Sequence, residues 1–176
     1  MSFPQVAVAV FLLAALGCAH TTGGQTAQSV LHEIESQGAA RTLQARYADP
    51  PAWASVLRNV GSGAPEWFQV AEALRSVSDA GASEELDCAV GEALGANPGL
   101  VLGHATGPFF LFEVCSAPDV DDERFGSLQL ALAELNRRIA AVQNVAEPGL
   151  TLVRDDCLSS LVQSEHGLRR FFGAVR

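Results

Sequence analysis

Six apolar side chains, Phe125, Leu128, Leu132, Leu135, Ile139 and Val142, follow one another at steps of three, four, three, four and three. Only an α-helix gathers such a series onto one face, and the resulting stripe has to be covered by another element. The same period runs through most of the chain. Trp53, Val56, Leu57 and Val60 form a stripe behind Asp49-Pro50, which read as N-cap and first helical residue. Trp67, Val70, Ala71, Leu74 and Val77 form another behind Pro65. Leu86, Ala89, Val90, Ala93 and Leu94 form a third, with Ser83 as its expected cap and Glu84 and Glu85 in its first turn. Val30, Leu31 and Ile34 begin a first helix, which Gly38 weakens before Leu43 and Tyr47. Leu150, Val153, Cys157 and Leu161 mark a last long helix, and the tail ends in Leu168, Phe171 and Phe172.

Between these stripes the punctuation is turn-like: Gly61-Ser62-Gly63, Asp79-Ala80-Gly81, Asn97-Pro98 and Pro148-Gly149. Asp121, Asp122 and Glu123 are expected at the N-terminal end of the helix that carries Leu128, where its dipole favours acids. The block Phe109 to Cys115 (FFLFEVC) is apolar without a clear period; it reads as helix because no second strand pattern exists to pair with it. Helices joined by such short loops must pack against their sequence neighbours. The expected fold is therefore all-α, a compact array of antiparallel helical hairpins, with a HEAT-like superhelical twist as one form of it. The echo between Val70–Leu74 (VAEAL) and Val90–Leu94 (VGEAL) is too short to establish a solenoid.

The first residues carry an address. Met1 to Gly17 holds no charged side chain, and Val6 to Leu16 is an apolar run of eleven, too short to span a bilayer but suited to a secretory signal. Residues 1–19 are read as a signal peptide, 20–28 as a polar tether and 29–176 as a single helical domain. Two processing readings remain open. Ala15-Leu16-Gly17-Cys18 resembles a bacterial lipobox, in which Cys18 becomes the lipidated N-terminus; Gly17 and Ala19 instead form a small-x-small site for cleavage after Ala19. The expected location is the bacterial periplasm or the outer membrane, with membrane contact only through a lipid on Cys18.

Charge and motifs narrow the function. The formal net charge is −9 and lysine is absent, so the surface repels phosphate backbones and nucleic acid is excluded as a partner. No H-E-x-x-H, C-x-x-C, G-x-G-x-x-G, P-loop or G-x-S-x-G is present. Asp119 to Glu123 invites a calcium reading, but an EF-hand needs Gly and Glu where this chain has Arg124 and Leu130. His20 lies in the tether, and His32 and His166 are expected on helix surfaces; His104 is expected to be partly buried and satisfied by a loop carbonyl. Arg137-Arg138 and Arg169-Arg170 are too sparse for a phosphate patch. Catalytic residues, cofactors and metals are therefore expected to be none.

The run Trp53, Gly61-Ser62-Gly63, Trp67, Ala71, Leu74, Asp79-Ala80-Gly81, Leu86, Ala93-Leu94, Asn97-Pro98 and Val101-Leu102 resembles a family of short, uncharacterised exported bacterial proteins. Val114-Cys115 and Asp156-Cys157-Leu158 are similar to that family's two cysteine positions, while Cys88 departs from its pattern. The resemblance spans roughly Trp53 to Leu161 and implies export and helices, with no activity attached. It also points to a Cys115–Cys157 disulfide. The residues agree: export favours disulfides, Cys88 reads as a buried free thiol in mid-helix, and the long helix leaving Cys115 and the one returning at Cys157 can bring the pair together.

The expected function is a periplasmic or envelope-attached protein-interaction module, with an immunity or inhibitor protein for an envelope toxin as its specific version. Two others compete. One is a hydrolase or transferase assembled from His104, Glu113 and Asp119. The other is a small-molecule or lipid carrier whose cavity is lined by Phe109 to Phe112.

Overall fold

The computed structural model describes residues 25–105 and 107–174. The leader, Cys18 and residues 20–24 of the tether lie outside the described residues. Among those described there are nine α-helices and no strand: α1 (Ala27–Gln37), α2 (Ala39–Tyr47), α3 (Pro50–Gly61), α4 (Pro65–Arg75), α5 (Ala80–Ala93), α6 (Pro98–Gly103), α7 (Leu111–Val114), α8 (Leu128–Gln143) and α9 (Thr151–Ala174). The all-α expectation holds.

Local chemistry sets the helix ends. Thr26 caps α1 by accepting from the Ser29 N–H at 3.2 Å, so the domain begins inside the segment read as tether. Gly38, at φ 90°, separates α1 from α2, a backbone conformation that glycine adopts without strain. Asp49 caps α3 and Asn97 caps α6, each with proline at the first turn. Asn97 also donates from Nδ2 to the Gly63 carbonyl at 3.0 Å, tying the start of α6 to the loop after α3.

Several expected boundaries move. The cap of α5 is Asp79, whose Oδ1 accepts from the Ala82 N–H at 3.4 Å. The Asp79-Ala80-Gly81 turn is thus a helix start, and Ser83 lies within the helix with its hydroxyl 2.6 Å from that of Ser78. Helix α8 begins only at Leu128, capped by Ser127, because Gly126 interrupts the chain. Asp122 instead caps a separate 3₁₀ turn, Glu123–Phe125, so the acids do not sit in the first turn of α8. Helix α4 stops at Arg75 and leaves Val77 exposed. The tail from Leu168 to Phe172 continues α9. In the Phe109–Cys115 block only Leu111–Val114 is helical. Phe109, Val114 and Cys115 are all buried, at spacings no single helix face satisfies, so the chain makes one turn and stops.

The helices pack mainly against partners one and two places along the chain, as a hairpin array does, with α1 also reaching α4. Helices α8 and α9 form the C-terminal hairpin, α3 lies on α5, and α7 is held between α5 and α9. Trp53, Trp67, Phe68, Leu74, Leu86, Leu94, Leu135 and Leu161 are among the buried side chains of one continuous core. The approach of α7 to α5 is close: a Cβ on Gly91 would lie 3.0 Å from the Val114 carbonyl oxygen. Cys115 and Cys157 are fully buried and stand at disulfide distance, with Cα atoms 5.3 Å apart and Sγ atoms 2.06 Å apart. They link the end of α7 to the second turn of α9.

Candidate functional site

Among the described residues a groove of about 570 Å³ lies between α3, α5, the segment 117–122, the 3₁₀ turn and α8; a second hollow of about 620 Å³, between the start of α6 and the end of α8, is shallower and more open. Its size falls in the range of ligand sites. One wall is a stripe of α5. Glu84, Cys88 and Glu92 recur at steps of four and share a face, while Leu86, Ala89, Val90 and Ala93 turn inward to the core. Glu85, at the groove's edge, accepts from Trp53 Nε1 at 2.6 Å and faces the Tyr47 hydroxyl at 3.4 Å. The charge of Glu85 raises the Tyr47 phenol above its ordinary pKa. Leu57 from α3, Ala89, Pro118 and Phe125 supply apolar surface to the lining.

The opposite wall, 117–122, is fixed at its root by a buried arginine. Arg138 is 2% exposed. Its Nε donates to Glu134 at 2.9 Å and its Nη1 to the Ser116 carbonyl at 3.2 Å. A buried guanidinium is tolerated only when paired and hydrogen-bonded, and Glu134 meets that condition. Burial pushes the Glu134 carboxyl up, but hydrogen bonds from Arg137 and Arg138 outweigh it and hold its pKa below the ordinary value. Removing Arg138 would take its donor from the Ser116 carbonyl that sets the wall and leave Glu134 paired with Arg137 alone.

Arg124 closes one side. Its Nη2 lies 2.6 Å from Glu92 Oε1 and its Nη1 3.1 Å from Oε2, while Nε donates to Asp122 at 2.9 Å. The hydrogen bond from Arg124 leads the causes that hold Asp122 below the usual carboxylate range.

The thiol of Cys88 opens onto this groove. The residue is exposed, against the expectation of a buried thiol, because Asp87 rather than Cys88 takes the inward position on α5. The surrounding walls still partly desolvate the sulfur. That desolvation, followed by the charge of Asp119, pushes its pKa up to about 11, so at neutral pH it is a thiol and a poor nucleophile.

The residues of the enzyme reading do not converge. His104 is 45% exposed; its Nδ1 meets Glu72 Oε1 at 2.8 Å and its ring lies 5.1 Å from that of Phe68. Its partner is a carboxylate on α4 rather than a loop carbonyl. Glu113 belongs to a second cluster. Arg75 binds Asp87 through two bonds of 3.0 and 3.1 Å, and Glu113 Oε2 lies 3.6 Å from Arg75. Asp119 lines the groove. Nor do Phe109 to Phe112 line a cavity: Phe109 packs on Phe68, and Phe110 and Phe112 stack on each other at the surface. Among the described residues no group of three His, Cys, Asp or Glu side chains is placed to hold a metal ion. None of their helices is long and apolar enough to cross a membrane.

No family model, curated protein or solved structure matches the chain. The groove therefore has to be read from its own residues. Neither Glu92 nor Arg124 stands out in the sequence as a site residue, and Arg138 reads there only as half of a sparse arginine pair. The polar stripe of Glu84, Cys88 and Glu92 was a readable signal of an outward face. Its pairing with a wall more than twenty residues away was not.

Proposed function

We propose that this protein is an exported interaction module of the bacterial envelope, and that the groove between α3, α5 and segment 117–122 receives a segment of a partner protein. The groove itself carries the reading: about 570 Å³, apolar surface within a charged rim, and one wall set by a buried ion pair. A pre-set concavity lowers the ordering cost of binding. The resemblance to exported bacterial proteins and the apolar run before Cys18 support an envelope location, with a lipid on Cys18 as the anchor. An immunity or inhibitor protein for an envelope toxin is the specific form of this reading.

Site-directed photocrosslinking in intact cells tests it. A photoreactive residue at Leu57 or Phe125 should capture one defined envelope protein, and the same residue at Leu152, on the exposed face of α9, should not. Equal capture from both places, or none from the groove, would refute the reading. The address is tested separately: labelled palmitate should enter the protein and be lost in Cys18→Ala.

A further inference from the structure

Resting on the groove as the partner site, we propose that its occupant is a positively charged protein segment, bearing arginine or lysine beside an apolar side chain, and that Arg124 is the internal placeholder such a segment displaces. The groove brings six carboxylates against three guanidiniums. One of those guanidiniums, Arg138, is bound within the fold to Glu134 and the Ser116 carbonyl and does little to balance the rim. Glu84 on α5 and Asp119 on the opposite wall are both exposed, and among the described residues neither has an ion-pair partner. Even with the exposed Arg58 counted, carboxylates outnumber guanidiniums, so the walls present a net negative field to whatever enters, and a concave site focuses such a field.

Arg124 marks what the site binds. Its guanidinium meets Glu92 through two N–H donors, the fork arrangement by which arginine recognises a carboxylate. The arginine is 59% exposed, so water competes for the pair and a second cation can replace it at small cost. The lining around it includes Leu57, Ala89, Pro118 and Phe125, which suits an aliphatic side chain next to the incoming charge. A bare metal ion is a poorer fit, because the carboxylates are dispersed over facing walls and no three converge. An anionic surface or nucleic acid is repelled by the same rim.

The test uses the full chain and two fluorescent peptides, one alternating arginine and leucine, the other with glutamine in place of arginine. The arginine peptide should bind saturably, slow alkylation of Cys88, and weaken as salt rises from about 0.05 M to about 0.5 M. Glu84→Arg with Asp119→Arg should weaken it by about tenfold. Arg124→Gln, which frees Glu92, should tighten it by about threefold. Circular dichroism of both variants should match the wild type; a neutralising pair, Glu84→Gln with Asp119→Asn, replaces the reversal pair if that does not fold. Binding that ignores these substitutions, or leaves Cys88 equally reactive, overturns the proposal. Equal binding of the glutamine peptide at the groove overturns the charge assignment and leaves the interaction module standing. Absence of groove crosslinks in cells overturns the module itself.

Discussion

Replacing Cys115 and Cys157 together by alanine should remove about 4 kcal/mol of stability. The two residues are 42 apart in sequence, and closing a loop of that length lowers the entropy of the unfolded chain by an amount worth about 4 kcal/mol at room temperature. Both sulfurs are buried, so the substitution also leaves a small void, worth about 1 kcal/mol more. A domain of this size holds roughly 5–15 kcal/mol in total, so the variant should be marginal, not merely weaker. Urea unfolding followed by far-ultraviolet circular dichroism measures the loss on oxidised wild type, reduced wild type and Cys115→Ala/Cys157→Ala. Reduced wild type should fall close to the variant, separated from it only by the void. The slope of the transition should steepen without the link, because the unlinked chain exposes more surface. Non-reducing peptide mapping should recover a 115–157 cross-link. A loss below about 1 kcal/mol, or a wild type indifferent to reductant, would show that this pair does not constrain the unfolded state.

Alanine at Gly91 should destabilise by about 1–3 kcal/mol, since its Cβ would press on the Val114 carbonyl and push α7 off α5; thermal melts check it, and an unchanged midpoint contradicts the close approach. Cys88 should be alkylated slowly in the native state at neutral pH and about tenfold faster per pH unit as its pKa near 11 is approached, without unfolding; a rate that levels off near neutrality would show an activated thiolate instead. Glu113 should be a net burden when ionised, because burial and the neighbouring Asp87 raise its pKa against the weaker pull of Arg75. Its folded pKa lies above the unfolded value, so the penalty is present above the folded pKa and is relieved as pH falls through it. Glu113→Gln should therefore melt higher than wild type at neutral pH, with the gap narrowing on acidification; a gap that widens in acid reverses the sign of the argument.

The helices were legible because their cause is local. Leu86, Ala89, Val90 and Ala93 announce a buried face by spacing alone, and Asp49-Pro50 and Asn97-Pro98 announce helix starts by backbone chemistry. Boundaries failed where two adequate signals competed. Asp79 and Ser83 can both cap a helix, and the chain uses the earlier one because α5 then gains a further turn. Asp121 to Glu123 looked like first-turn acids, but Gly126-Ser127 provides the better start. The site was less legible because its links are long-range. Nothing near Arg124 in sequence names Glu92, nothing near Trp53 names Glu85, and His104 gives no hint of Glu72. The pairing of Cys115 with Cys157 was an exception: with few cysteines, a short menu of pairings and a hairpin between them, topology substitutes for local signal.

The segment 117–122 alternates in a way that separates two kinds of change. Pro118 is buried and Val120 packs on the core, while Asp119 and Asp121 stand outward. Its root is held from behind by the Cys115–Cys157 contact and by Arg138 on the Ser116 carbonyl. Asp121, whose side chain holds nothing else among the described residues, can therefore change its chemistry without moving the wall, whereas Asp119 Oδ1 accepts from the Asp121 N–H at 3.0 Å and helps shape the segment. Single substitutions at Asp121 can change the chemistry of the groove's rim and leave the helical array intact. On the α5 side Glu85 and Glu92 have less freedom, since each holds another side chain in place, while the exposed Glu84 holds none among the described residues. The rim of the groove is therefore most open to change at Asp121 and Glu84, and least so at Glu85, Glu92 and Asp119.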